Sequence, residues 1–192
     1  LLPPSCDGSF DRPFKNIACS LEFLLNNGEK ICESITLEFL DEGKHFLLKE
    51  DLSEIIMTRG DSEQEGAPVF NLDRGPISEK NLIIKGNENT ELLIFSPFEL
   101  TIPASLTIKN LRMSYENKDD PTDPKEKSKM FLIPSGRKIL IIGSSIFFSA
   151  AVESTPTNFT MFQTLDFSDG DPHMETLFNL KNSTIDCLIG KM

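Results

Sequence analysis

The chain has 192 residues, 39% apolar and 26% charged, a balance that suits one globular domain with a sizeable core and excludes intrinsic disorder. Its formal charge is −11, from 30 acidic against 19 basic residues, with no basic stripe, which excludes tracking a phosphate backbone or docking on anionic lipid. No apolar run reaches the ~18–20 residues of a membrane helix, because even Lys138 to Ala151 is short and broken by Gly and Ser, so no membrane insertion is expected.

The chain opens on Leu1-Leu2-Pro3-Pro4-Ser5-Cys6 with no charged n-region ahead of an apolar stretch, and reads as a mature or trimmed product. Cys6, Cys19 and Cys32 are evenly spaced, and Cys187 stands far away. None forms a CxxC pair, and only His45 and His173 exist to join them, so zinc fits poorly. Disulfides formed in a secreted or extracellular setting are the expectation, with connectivity open.

Asp11-Arg12-Pro13, followed by Phe14, Ile17, Ala18, Leu21, Leu24 and Leu25, predicts one amphipathic helix that ends near Asn26-Asn27-Gly28. The period then changes to two. Ile35, Leu37 and Phe39 alternate with Thr36 and Glu38, Asp41-Glu42-Gly43 marks a turn, and Phe46, Leu47 and Leu48 begin another extended piece. Residues 1–34 therefore read as an amino-terminal cap and 35–192 as an all-β body.

Internal repetition separates a parallel solenoid from an antiparallel sandwich. Leu82-Ile83-Ile84-Lys85-Gly86, Leu106-Thr107-Ile108-Lys109-Asn110, Leu140-Ile141-Ile142-Gly143-Ser144 and Phe178-Asn179-Leu180-Lys181-Asn182 share one pattern: apolar, any, apolar, any, then a small or amide residue. The first two copies lie 24 residues apart (106 − 82), which suits one three-strand coil. The later gaps are longer and hold polar stretches, 116–129 and 153–172, that read as inserted loops. Alternate side chains point inward as aliphatic ladders, and the small residue serves the bend. Asn110 and Asn182 are candidates for an amide stack along that bend; ordinary turn residues are the simpler account.

On these copies the chain resembles the right-handed parallel β-helix, or pectin-lyase-like, superfamily. Ile35-Thr36-Leu37 leading through Gly43 to Phe46 looks like its opening coil, and Ser105 to Met113 is similar to its recurring coil. The likeness spans about residues 14–190. It implies that the helix over Phe14 to Leu25 caps the amino-terminal end. The chain stops soon after a repeat copy with no evident cap, which predicts a fragment or a second chain covering that end.

Many members of this superfamily are polysaccharide lyases or hydrolases, and the resemblance implies an acidic calcium site with a basic residue, or several Asp at adjoining strand positions. The outward positions of the repeat copies, read as Thr107, Lys109, Ile141, Asn179 and Lys181, hold no carboxylate, and no acid and base pair falls on a strand. No catalytic residues are assigned. Sugar clefts also favour Trp and Tyr, and this chain has no Trp and only Tyr115.

Asp166, Asp169 and Asp171 around Gly170 form a candidate calcium site, although a solvated acidic loop explains them more simply. No other cofactor is implied. Asn158-Phe159-Thr160 and Asn182-Ser183-Thr184 are glycosylation sequons, of which Asn158, in a polar stretch, is the better acceptor. Arg59-Gly60-Asp61 matches an integrin-binding tripeptide, a short match that an exposed turn accounts for. Ile139, Ile141, Phe147 and Phe148 put apolar side chains on both alternations of one segment, which calls for cover by a loop or a partner. The expectation is a non-catalytic extracellular β-helix, structural or adhesive, with a protein partner or self-association and possible glycan ligands; the alternative is a polysaccharide lyase or hydrolase with its site outside this segment.

Overall fold

The computed structural model describes residues 8, 11, 13–27, 33–48, 51, 69–95, 98–117, 129–150, 160–165 and 177–189. Helix α1 (Ile17–Asn27) buries Ile17, Ala18, Ser20, Leu21 and Leu24 and packs beside the first coil. It begins later than Asp11-Arg12-Pro13 suggests. Asn16 is the residue that caps it, its side-chain oxygen accepting from Cys19 N–H at 2.9 Å. It ends at Asn27, where the Asn-Asn-Gly run places it.

The body is a parallel solenoid of fourteen described strands. The first coil holds β1 (Ser34–Glu38), β2 (Gly43–Leu47) and β3 (Val69–Asn71), and the second β4 (Asn81–Lys85), β5 (Thr90–Ile94) and β6 (Glu99–Thr101). The third holds β7 (Ser105–Lys109), β8 (Arg112–Asn117) and β9 (Lys129–Ile133), and the fourth β10 (Lys138–Ile142), β11 (Ser145–Ala150) and β12 (Thr160–Thr164). The fifth holds β13 (Leu177–Lys181) and β14 (Thr184–Ile189). Every third strand joins the same sheet, giving the orders β1-β4-β7-β10-β13, β2-β5-β8-β11-β14 and β3-β6-β9-β12, all pairs parallel.

The 24-residue coil is the true step between β4 and β7, since Asn81 pairs with Ser105 (105 − 81 = 24). Ser34 to Asn81, Ser105 to Lys138 and Lys138 to Leu177 give 47, 33 and 39. Two boundaries move. Glu116 and Asn117 belong to β8 and Lys129 to β9, while the stretch 153–172 contains β12 and is not one inserted loop. Phe162, between Met161 and Gln163, aligns with Phe131.

Register also corrects the third repeat copy by one residue. Ile139, not Leu140, pairs with Leu106, and Ile141 pairs with Ile108. Ile141 is therefore a core residue, fully buried, and the outward residues of β10 are Leu140 and Ile142. A slip of one position exchanges the two faces of a strand. The first sheet supplies two inward ladders, Ile35-Leu82-Leu106-Ile139-Phe178 and Leu37-Ile84-Ile108-Ile141-Leu180. The third adds Phe70-Leu100-Phe131-Phe162. Ile35, Leu47 and Phe70 of the first coil are buried in the same core cluster as Ile17, Ala18, Leu21 and Leu24 of α1. At about 1.5–3 kcal/mol for each fully buried aliphatic side chain, these ladders dominate the stability.

The bend between the first and second sheets comes in two forms. Coils one and two use four residues, 39–42 and 86–89; coils three to five use two, Asn110-Leu111, Gly143-Ser144 and Asn182-Ser183. The tight form needs a left-handed first residue, with φ of 50° at Asn110, 56° at Gly143 and 50° at Asn182. Asn and Gly adopt it at least cost.

Candidate functional site

Three features stand apart from ordinary core packing: the ladder at the tight bend, the outer faces of the sheets, and the last turn of the solenoid.

Asn110 and Asn182 occupy equivalent bends, but Gly143 stands between them and has no amide to offer. The stack is carried by backbone: Asn110 N–H donates to Ile142 O at 2.9 Å and Gly143 N–H to Lys181 O at 3.0 Å. The side-chain ladder runs one residue later, through serine. Ser144 Oγ accepts from Leu111 N–H at 3.2 Å and donates to Ile142 O at 2.9 Å. Ser183 Oγ accepts from Ser144 N–H at 3.2 Å and lies 2.9 Å from Lys181 O and 3.1 Å from Ile141 O. Each hydroxyl thus satisfies the buried N–H of the coil before it. The repeated Gly-Ser and Asn-Ser pairs carry this signal in the sequence, and it aligns only once the third copy is in register.

On the outside of the first sheet, Glu38, Lys85, Lys109, Ile142 and Lys181 form one row, with Lys85 Nζ 2.6 Å from Glu38 Oε1. On the second sheet Lys44, Glu91 and Arg112 form another, at 4.0 Å and 3.4 Å, and the Arg112 guanidinium sits 4.8 Å over the Phe147 ring. Phe147 thereby gains a partner within the chain. These are solvated charge pairs, each worth about 0.2–1 kcal/mol, and they place a carboxylate beside a cation rather than a pair of carboxylates in position for acid and base work. His45 lies at 4.6 Å from the Phe39 ring and 2.9 Å from Asp41 O, which accounts for it structurally.

The last turn, β12-β13-β14, has no following coil among the described residues. Phe178 and Leu180, which align with fully buried Ile139 and Ile141, are 40% and 46% exposed. Leu177 and Ile185 beside them are 54% and 40% exposed. Among the described residues this is the densest run of exposed large apolar side chains, and the outer edges of β13 and β14 carry no described strand.

Asp166, Asp169, Asp171, Asn158, Arg59, Gly60, Asp61, Cys6 and Cys32 lie outside the described residues, and no group of metal-ligating side chains occurs within them. Cys19 lies half-buried on α1, and Cys187 is placed by its backbone alone, in β14. The coil bearing Cys187 is four rungs beyond the one that α1 packs against, about 19 Å at ~4.8 Å per rung. That exceeds the ~7 Å Cα separation of a disulfide, so Cys19 and Cys187 do not pair within one chain. No helix of the described residues is long and apolar enough to cross a membrane. The chain matches no protein-family model, no curated protein and no solved structure.

Proposed function

We propose that the chain is a non-catalytic structural or adhesive module of an extracellular assembly, built as a right-handed parallel β-helix of the pectin-lyase-like kind. The observation that carries this reading is the outer face of the parallel sheets, where Glu38 pairs with Lys85 and Glu91 with Lys44 and Arg112, each carboxylate beside a cation rather than beside a second carboxylate. The right hand follows from the strong preference of parallel crossover connections for that sense. An acidic surface of paired charges suits a soluble spacer between partners.

The test is a panel of acidic and neutral polysaccharides incubated with the chain, with and without calcium, read by new reducing ends and by unsaturated sugar products. No turnover is expected. Turnover of any glycan removes the reading in favour of a lyase or hydrolase.

A further inference from the structure

We propose that the outer face of the first sheet, over β1, β4, β7 and β10, docks an acidic amphipathic helix of a partner protein, laid along the solenoid axis. This goes beyond the structural reading by giving the module a partner of stated chemistry.

Stacking builds the face. Every second residue of these strands points out, and the middle outward row is Thr36, Ile83, Thr107 and Leu140, with Ile83 and Leu140 half-buried. Lys138 stands at the start of β10, and Lys85 and Lys109 at the ends of β4 and β7, so cations flank the apolar row on both sides. Lys85 is held by Glu38 at 2.6 Å, but among the described residues no carboxylate pairs with Lys109 or Lys138, both exposed. Beside Lys138 the row is neutral, Ser105 Oγ lying 2.7 Å from Asn81 Oδ1. Three lysines against one glutamate leave this face at +2 and the rest of the chain at −13 (−11 − 2). The lysines lie 24 (109 − 85) and 29 (138 − 109) positions apart, so only the coil gathers them. β4, β7 and β10 each pair on both sides and the bends that flank them are all described, so the exposure of Lys109 and Lys138 owes nothing to a sheet edge.

Charge and geometry select the occupant. Cations on both flanks of an apolar row are complementary to carboxylates on both flanks of an apolar stripe. Lys138 aligns with Ser105, four residues before Lys109, so the two flanks are about 13 Å apart at ~3.3 Å per residue, close to the ~10–12 Å width of a helix. An extended segment would find no backbone partner on the face of strands already paired on both sides, whereas a helix satisfies its own N–H and C=O groups. A sugar chain would lack a stacking platform, because no outward residue of these four strands is aromatic. Two unpaired cations are too few to hold a phosphate backbone or an anionic bilayer against the acidic remainder of the chain.

The probe is a synthetic peptide of about 14 residues, cross-linked to hold it helical, with Leu along one face and Glu on both flanks. Fluorescence anisotropy is expected to show it binding the 192-residue chain about tenfold more tightly than a peptide with the same Leu and Glu shuffled, and weakening as salt rises. Lys109→Glu and Lys138→Glu are each expected to weaken binding about fivefold or more, while Lys44→Glu, the same change of charge on the second sheet, leaves it within about twofold. All three side chains are exposed, so none of the variants is expected to alter the melting midpoint. On titration with the helical peptide the amide resonances of β4, β7 and β10 should move and those of β3, β6 and β9 should not. Equal affinity for the two peptides overturns the proposal, as do equal losses in the three variants. Tighter binding of polygalacturonate, or of vesicles containing phosphatidylserine, than of the helical peptide overturns it too. Glycan turnover, which tests the non-catalytic reading, bears on none of these outcomes.

Discussion

Arg137 forms an ion pair with Asp73, 64 positions earlier, through its terminal nitrogen and one carboxylate oxygen, and in doing so skips a coil. Asp73 lies in the bend that leads from coil one to coil two, Arg137 in the bend from coil three to coil four, and the Ile102–Ala104 bend stands between them. The pair ties three coils together on the side of the solenoid away from the tight bends.

Both partners are about three-quarters buried, unlike the more exposed Lys85–Glu38 pair. A double-mutant cycle on Asp73→Ala and Arg137→Ala is expected to give a coupling of about 1–3 kcal/mol, against about 0.2–1 kcal/mol for Lys85 and Glu38. Arg137→Lys is expected to keep most of the coupling, since it preserves the charge and removes Arg137 Nε, which is buried with no protein acceptor among the described residues. Urea unfolding of the single and double variants measures both; equal couplings for the two pairs would remove the clamp.

The one-residue register of β10 has its own test. Ile141→Ala opens a cavity in a fully buried ladder and is expected to cost about 2–5 kcal/mol, whereas Ile142→Ala, on the outer face, is expected to cost under about 1 kcal/mol. Leu180→Ala, in the same ladder but about half exposed, is expected to fall well below Ile141→Ala. Thermal melts of the three variants order them, and a larger cost at Ile142 than at Ile141 would reverse the register.

At the tight bend, Gly143→Ala meets two obstacles. The left-handed φ costs a residue with a Cβ about 1–2 kcal/mol, and the added Cβ would stand 2.8 Å from Asn110 Oδ1. Asn110→Gly is expected to be close to neutral alone and to recover the second part of the loss in the double variant. Additive losses, measured by chemical denaturation, would show that the two bends do not touch.

Ser144→Ala leaves the Leu111 N–H without its acceptor in a buried site, with an expected cost of about 1–3 kcal/mol. Ser183→Ala removes the same kind of acceptor nearer the open end and is expected to cost less. Amide exchange should report the difference locally, through faster exchange at Leu111 in the first variant and at Ser144 in the second. Unchanged exchange at both positions would reduce the serine ladder to packing.

The sequence by itself determined the local grammar of this protein. A single amphipathic run before Gly28, apolar residues at every second position and Gly or Asn after each run are consequences of neighbouring residues, so the helix, the strands, the bends and the 24-residue coil could be read along the chain. The tertiary structure decided everything that depends on the coil above or below. Whether Ile141 or Ile142 enters the core follows from which residue of Leu106-Thr107-Ile108 it pairs with, and the alternation Ile139-Leu140-Ile141-Ile142 is apolar throughout, so no local signal could choose. The strand around Phe162 exists because Phe131 lies against it, and the Arg137–Asp73 clamp because two bends 64 residues apart are stacked. The last turn makes the same point. Phe178 and Leu180 carry the pattern of core residues and are 40% and 46% exposed, because burial in a solenoid comes from the neighbouring coil and no coil beyond β13 lies among the described residues.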